Sequence, residues 1–271
     1  AQPALAAFLT ARMGTAAMVR SPGRMREMLA DSEKILLTLT EAADRDTLQS
    51  FHRRAKGVLE VRQNWSGCWE RAESHFRESL QLQPTNSNAL FFLGMVALQM
   101  GKPEDAVKFL RRSLLLDPDF RAGYVNLAIG YLRLGRHAEA LKVSEAGSAR
   151  HPDAPQPHYH VGIACYQLAI ARVKTVQTDC CPSECLPESE ANLYEELRQR
   201  SLAGFAQARS SDEGRRRGRA RQTAEGVVVA LEAPWLPEDD AMIEAMEESD
   251  GPPRVVELPL KVGWTWISYR M

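Results

Sequence analysis

Three cysteines, Cys180, Cys181 and Cys185, and two earlier histidines, His158 and His160, are the residues best equipped for chemistry in this chain. Thiolate and imidazole are the ligands that zinc takes. Structural zinc sites use paired C-x₂-C elements, however, and the segment CCPSEC contains no such pair. The three cysteines are therefore read as free loop thiols, with metal binding a minor candidate role. Five cysteines in 271 residues do not make a disulfide framework, which suits a reducing compartment. None of the six histidines stands in a nucleophile motif, and no glycine-rich phosphate loop is present. The chain reads as non-enzymatic and without a cofactor.

A cluster of arginines (Arg209, Arg215, Arg216, Arg217, Arg219 and Arg221) could contact nucleic acid or act as an import signal. No aromatic residues interleave with it, so the cluster reads as a solvated linker. Thirty-four basic against 35 acidic side chains leave a net charge of −1, with no whole-molecule pull toward nucleic acid. No stretch approaches the roughly 20 apolar residues of a membrane-spanning helix.

The elements that must position these residues repeat. Pro84, Pro118 and Pro152 stand 34 residues apart, as do Gly67, Gly101 and Gly135, and Ala72, Ala106 and Ala140. A period of 34 marks a helix–turn–helix solenoid unit. Each first helix carries a large–large–small pattern: Leu90, Leu93, Gly94; Tyr124, Leu127, Ala128; His158, Val161, Gly162. The small residue admits the partner helix. Gly101 and Gly135 end first helices, Pro103 opens a second one, and Pro118 and Pro152 close them. Ala106, Leu110 and Ser113 point inward from one second helix, and Ala140, Ser144 and Gly147 from the next.

The segments SNALFFLGMVALQMGKPEDAVKFLRRSLLLDPDF and RAGYVNLAIGYLRLGRHAEALKVSEAGSARHPD resemble tetratricopeptide repeats. The resemblance implies an all-α, right-handed α-solenoid of antiparallel helix pairs, with a poorly structured C-terminal tail. Repeats are expected over 53–86, 87–120 and 121–154, and an interrupted one over 155–211. In the first, Glu60 stands where the small residue belongs, and its opening helix is expected from about Asp46 to Gln63. In the interrupted one, Ser201, Phe205 and Ala208 reproduce the second-helix spacing. Gly94 precedes Ala106 by 12 residues, whereas Gly162 precedes Ser201 by 39, an excess of 27 placed at about 171–197 as a loop.

A second apolar stripe recurs beside the core positions: Phe91, Met95, Leu98; Val125, Ile129, Leu132; Tyr159, Ile163, Tyr166. In tetratricopeptide domains these offsets line the concave groove, so the resemblance implies an exposed apolar floor for a peptide or helix of a protein partner. One subfamily clamps chaperone C-terminal carboxylates with lysine, asparagine and arginine. Only Asn126 matches that set; Phe91, Met95, Gln156 and His160 occupy the other positions, so this ligand class is rejected. Asn126 is expected to bond the backbone of an adjacent helix.

Residues 1–24 read as a flexible or targeting-like segment, acid-free and alanine-rich; a cytoplasmic location is expected, with organellar import the alternative that this segment offers. The solenoid is expected over 25–211. From 212 to 271 follow a glycine–arginine tract expected to be flexible, an acidic run and an apolar end expected to cap the solenoid or lie in its groove. A scaffold arm of an RNA-processing or ribosome-assembly complex, and a repeat region of a larger enzyme, are the alternative functions.

Overall fold

A computed structural model of the chain describes residues 42–63, 66–174 and 186–223, with scattered helical positions between 23 and 34. The expected N-terminal segment, the three clustered cysteines and the chain beyond 223 lie outside the described residues, as does every proposal about what the C-terminal end covers. The described residues form only helices, and they divide into two compact units after Asn126.

The first unit contains α1 (Ala42–Gln63), α2 (Cys68–Leu82), α3 (Ser87–Gln99), α4 (Pro103–Leu116) and the start of α5 (Arg121–Arg133). Consecutive helices pack as α1 on α2, α2 on α3 and α3 on α4. Gly67 and Gly101 stand in the left-handed region, with φ of 73° and 71°, where a side chain would strain the turn into the next helix. Pro103 begins α4, where its missing N–H would have no intrahelical partner anyway. Asn86 caps α3 by accepting from the Ala89 N–H at 3.1 Å.

The core of this unit follows from one omission per helix pair. A Cβ on Gly94 would lie 2.6 Å from Leu110 Cγ and 3.2 Å from the Ala106 carbonyl oxygen. The absent side chain is the space that Leu110 fills, and Leu110 and Ala106 are wholly buried. Between α1 and α2 the same place belongs to Gly57, whose Cβ would meet Phe76 Cε1 at 2.7 Å. This corrects the reading that placed Glu60 there. Glu60 instead faces outward and pairs with Arg71 at 2.7 Å. Gly57 precedes Phe76 by 19 residues and Gly94 precedes Leu110 by 16, so three extra residues before α2 displace the pattern on α1. Helix α1 also begins at Ala42 rather than near Asp46.

A buried polar cluster joins three of these helices. The Ser50 hydroxyl donates to the Ser79 carbonyl at 2.8 Å, and the two hydroxyls lie 2.9 Å apart. The Asn86 amide donates to Ser50 Oγ at 3.2 Å. One repeat on, Ser113 donates to the Ser87 carbonyl at 2.9 Å. Ser50 and Ser87 both stand seven residues before the small residue of their helix, which confirms the corrected register.

The second unit contains the rest of α5, α6 (His137–Arg150), α7 (Pro155–Lys174) and α8 (Glu188–Thr223). Helix α7 packs on both α6 and α8. A Cβ on Gly162 would meet Phe205 Cε1 at 2.5 Å, and one on Gly204 would meet Gly162 N at 2.8 Å. The Ser201 hydroxyl donates to the Gly162 carbonyl at 2.9 Å. Much of the expected inserted loop is helix. Helix α7 runs on to Lys174, and α8 starts at Glu188, thirteen residues before Ser201. Ala169, Ile170, Tyr194 and Leu197 are buried along this lengthened pair, and Arg172 bonds Glu190 at 3.1 Å. The glycine–arginine tract, expected to be flexible, continues α8 to Thr223.

Gly57→Leu and Gly94→Leu should each destabilise the protein by about 1–3 kcal/mol through overpacking. Glu60→Ala, which removes only a surface ion pair, should cost less than about 1 kcal/mol. Urea unfolding of the three variants checks the register; a larger loss at Glu60 than at Gly57 would overturn it.

Candidate binding surface

The recurring stripe takes fixed places around the small residue of each first helix: three before, one after and four after. Phe91, Met95 and Leu98 stand so about Gly94, and Val125, Ile129 and Leu132 about Ala128. Tyr159, Ile163 and Tyr166 stand so about Gly162. With Gly57 as the small residue of α1, the stripe there consists of Arg54, Val58 and Val61. The displaced register hid these three from sequence analysis. The aligned glycine, Gly57, was the signal that could have found them.

In the first unit, Phe91, Met95 and Leu98 are wholly enclosed and Val125 is buried. The Phe91 ring meets Phe120 edge-on at 4.6 Å and Phe92 at 5.3 Å, while Phe92 stacks on Phe76 at 5.4 Å. In the second unit, Ile129, Leu132, Ile163 and Tyr166 are buried, and Tyr159 is half-buried. Tyr159 lies against Phe205 at 5.8 Å and His160 at 5.5 Å. The stripe was expected as an exposed floor; eight of its nine positions are instead enclosed. Tyr159 is the position with a face toward solvent.

Polar groups sit among these apolar ones. The Asn126 amide donates to the Ala122 carbonyl at 2.9 Å, within its own helix rather than across to an adjacent one. Its Oδ1 and the Gln156 Oε1 are buried acceptors that receive nothing among the described residues. His158 Nε2 donates to the Pro152 carbonyl at 2.9 Å, as the Tyr124 hydroxyl does to the Pro118 carbonyl one period earlier. His160 Nδ1 donates to the Gln156 carbonyl at 2.8 Å. Both histidines proposed as zinc ligands thus spend one ring nitrogen on backbone. Among the described residues no three metal-ligating side chains converge.

Burial sets the protonation of this region. The His160 imidazole is pushed down to about 4 by burial, against a smaller upward pull from its bond to Gln156. Burial raises the Cys165 thiol to about 11, so it carries no thiolate nucleophile near neutral pH. A different surface is apolar and open: Leu115 is 81% exposed and Leu116 43% exposed at the end of α4.

These helix pairs, with a small residue on one helix receiving a large one from the next, define a helical-repeat protein. The tetratricopeptide repeat profile matches residues 66–127 and 97–161, so this part of the chain carries tetratricopeptide repeats. It is 30% identical over 125 residues to the protein FlbA of Caulobacter vibrioides, covering 46% of this chain and 20% of FlbA. It is 31% identical over 71 residues to the human protein O-mannosyl-transferase TMTC3, covering 26% of this chain and 8% of that protein. The chain therefore spans a fifth or less of these relatives. A crystal structure of MamA superimposes with a TM-score of 0.50 at 16% identity, over 73% of this chain and 94% of MamA, a likeness of fold. No helix among the described residues is long and apolar enough to cross a membrane.

His160 also predicts an acid limb. The unfolded imidazole titrates near 6.5 and the folded one near 4, so the unfolded state binds the proton first as pH falls. Stability is then full above pH 6.5 and declines down to about pH 4. Between pH 7 and pH 5 the loss from this residue should be about 2 kcal/mol. In His160→Gln that share of the decline should vanish, as read by urea unfolding at the two pH values.

Proposed function

We propose that this chain is a non-enzymatic scaffold that holds a peptide or helix of a protein partner along its apolar stripe. The recurrence of large apolar side chains three before, one after and four after each small residue carries this reading. A helix pair needs one buried face to form, and these side chains repeat on a second. Eight of the nine are enclosed, so a partner that is itself apolar along one side meets the stripe where it reaches solvent, at Tyr159. Tyr159 is the contact point in the second unit, because its ring has an open face while its neighbours in the stripe are enclosed.

Leu115 offers the competing surface, since it is far more exposed than any stripe residue. A photo-crosslinking side chain placed at Tyr159 in one variant and at Leu115 in another separates the two. Partner capture from Tyr159 and not from Leu115 is expected. Capture from Leu115 alone would move the binding surface to the end of α4 and overturn the stripe. Serine at Phe91 and Ile129 is a poorer test, because both positions are enclosed and emptying them should cost about 3–5 kcal/mol of fold stability at Phe91 alone.

A further inference from the structure

Helix α3 is buried at ten consecutive positions, Ala89 to Leu98, and therefore on every side. No charged residue stands between Ser87 and Gln99. The second helix of this pair differs. Helix α4 buries Ala106, Val107, Leu110 and Ser113 along one face, while Lys108, Arg111 and Leu115 on the other are exposed. A helix in a two-layer stack is covered on the side of its partner layer, so burial all round requires a cover on the other side as well. Helices α2 and α4 pack against α3, and Phe120 meets the Phe91 ring edge-on. The stripe residues Met95 and Leu98 are as fully enclosed as the core residue Leu110. They need a cover that the helix pair itself does not give them.

The first compact unit consists of Ala1–Asn126 together with Val262–Met271. Of the N-terminal part, Glu33 is engaged at α1, where it pairs with Lys56 at 3.4 Å. The C-terminal end suits the stripe by its pattern. Val256, Leu258, Leu260, Val262, Trp264 and Trp266 stand at every second position, with polar residues, glycine or proline between them. In an extended segment all six share one face and follow one another every ~6.6 Å. Packed helices lie about 8–10 Å apart, so such a segment laid across first helices meets each of them with an apolar side chain. Residues 224–271 follow the last helix, a length of chain that reaches up to about 160 Å when extended. Reach does not limit where its end lies.

We propose that residues 254–271 are an internal ligand of the stripe in the first unit, and that a protein partner binds there by displacing them with an extended segment of the same alternating apolar kind. The inference rests on the peptide-binding reading above. It adds the form of the ligand and a control on its access. A tethered segment competes at a high effective concentration, so a free peptide of equal fit is excluded until the tail is drawn away.

A photo-crosslinking side chain at Trp266 of the full chain, with the linked peptides identified by mass spectrometry, tests occupancy. Links within one chain to the peptide that carries Phe91, Met95 and Leu98 are expected. Mixing isotopically heavy and light chains separates these from links between copies. Links between copies alone would make a second copy the occupant and overturn the inference. Links from Trp266 to other peptides only would overturn it too. So would links to α3 from the same side chain at Phe8 in place of Trp266, which would make the N-terminal segment the cover. Displacement is read with a labelled synthetic peptide of residues 254–271. The full chain carrying Trp264→Ser and Trp266→Ser should bind it at least tenfold more tightly than the unaltered chain. Equal binding by the two chains, with partner capture from Tyr159 retained, would overturn the internal ligand and leave the scaffold reading standing. Equal binding with no capture from Tyr159 would overturn both.

Discussion

Three helix pairs of this fold depend on the space left by a missing side chain. Gly57 receives Phe76, Gly94 receives Leu110, and Gly162 receives Phe205. Phenylalanine fills two of these gaps and leucine the third, so the rule concerns volume and not residue identity. Each of the three is wholly or almost wholly buried. Full burial of a side chain of that size contributes about 1.5–3 kcal/mol, and only while the helices stay close. The apolar seams therefore dominate over the surface ion pairs, which are partly exposed and contribute about 0–1 kcal/mol each.

The turns were legible because their requirement is local. A left-handed φ near 70° at Gly67, Gly101 and Gly135 selects glycine whatever surrounds it. The 34-residue spacing of these glycines thus reads out the helix pairs directly. The interior of the first pair was less legible, because a side chain's direction depends on every residue between it and the turn. Three extra residues before α2 left the prolines and glycines in step and moved the small residue from the place of Glu60 to Gly57. Composition misled in a similar way between Lys174 and Ser201. Proline and cysteine in the middle of the insertion suggested loop throughout, yet tertiary packing carries helix in from both ends.

The candidate surface was legible as a pattern and illegible as an environment. Periodicity placed the nine apolar positions, but exposure depends on what packs above them, and no single chain segment states that. Phe91 is enclosed partly by Phe120, which lies outside the helix that carries Phe91. Arg54 was doubly hidden: the displaced register removed it from the stripe, and an arginine in a sequence reads as solvated until its surroundings are known. The Ser50–Ser79–Asn86 cluster had the same difficulty. Its members are 29 and 36 residues apart, and serine and asparagine are common at turns for reasons that involve no long-range contact.

The fourth helix pair shows how the small-residue rule tolerates an insertion. The residues between α7 and the packing point on α8 lengthen the connection, and the entropic cost of closing a loop grows only slowly with its length. What must be conserved is the contact at its base. There Gly162 and Gly204 bring the two backbones together, Phe205 fills the gap, and Ser201 bonds the Gly162 carbonyl. Outward from this point the pair has no repeat to match, so its length is free. The helices extend as far as side chains can cover one another: Ala169 and Ile170 from α7, Tyr194 and Leu197 from α8. Glu145 on α6 also pairs with Arg200, which ties the lengthened helix back to its neighbour through a partly exposed contact. The apolar seam holds the pair, and the ion pairs set its alignment, because like charges at those positions would resist the register that the seam needs.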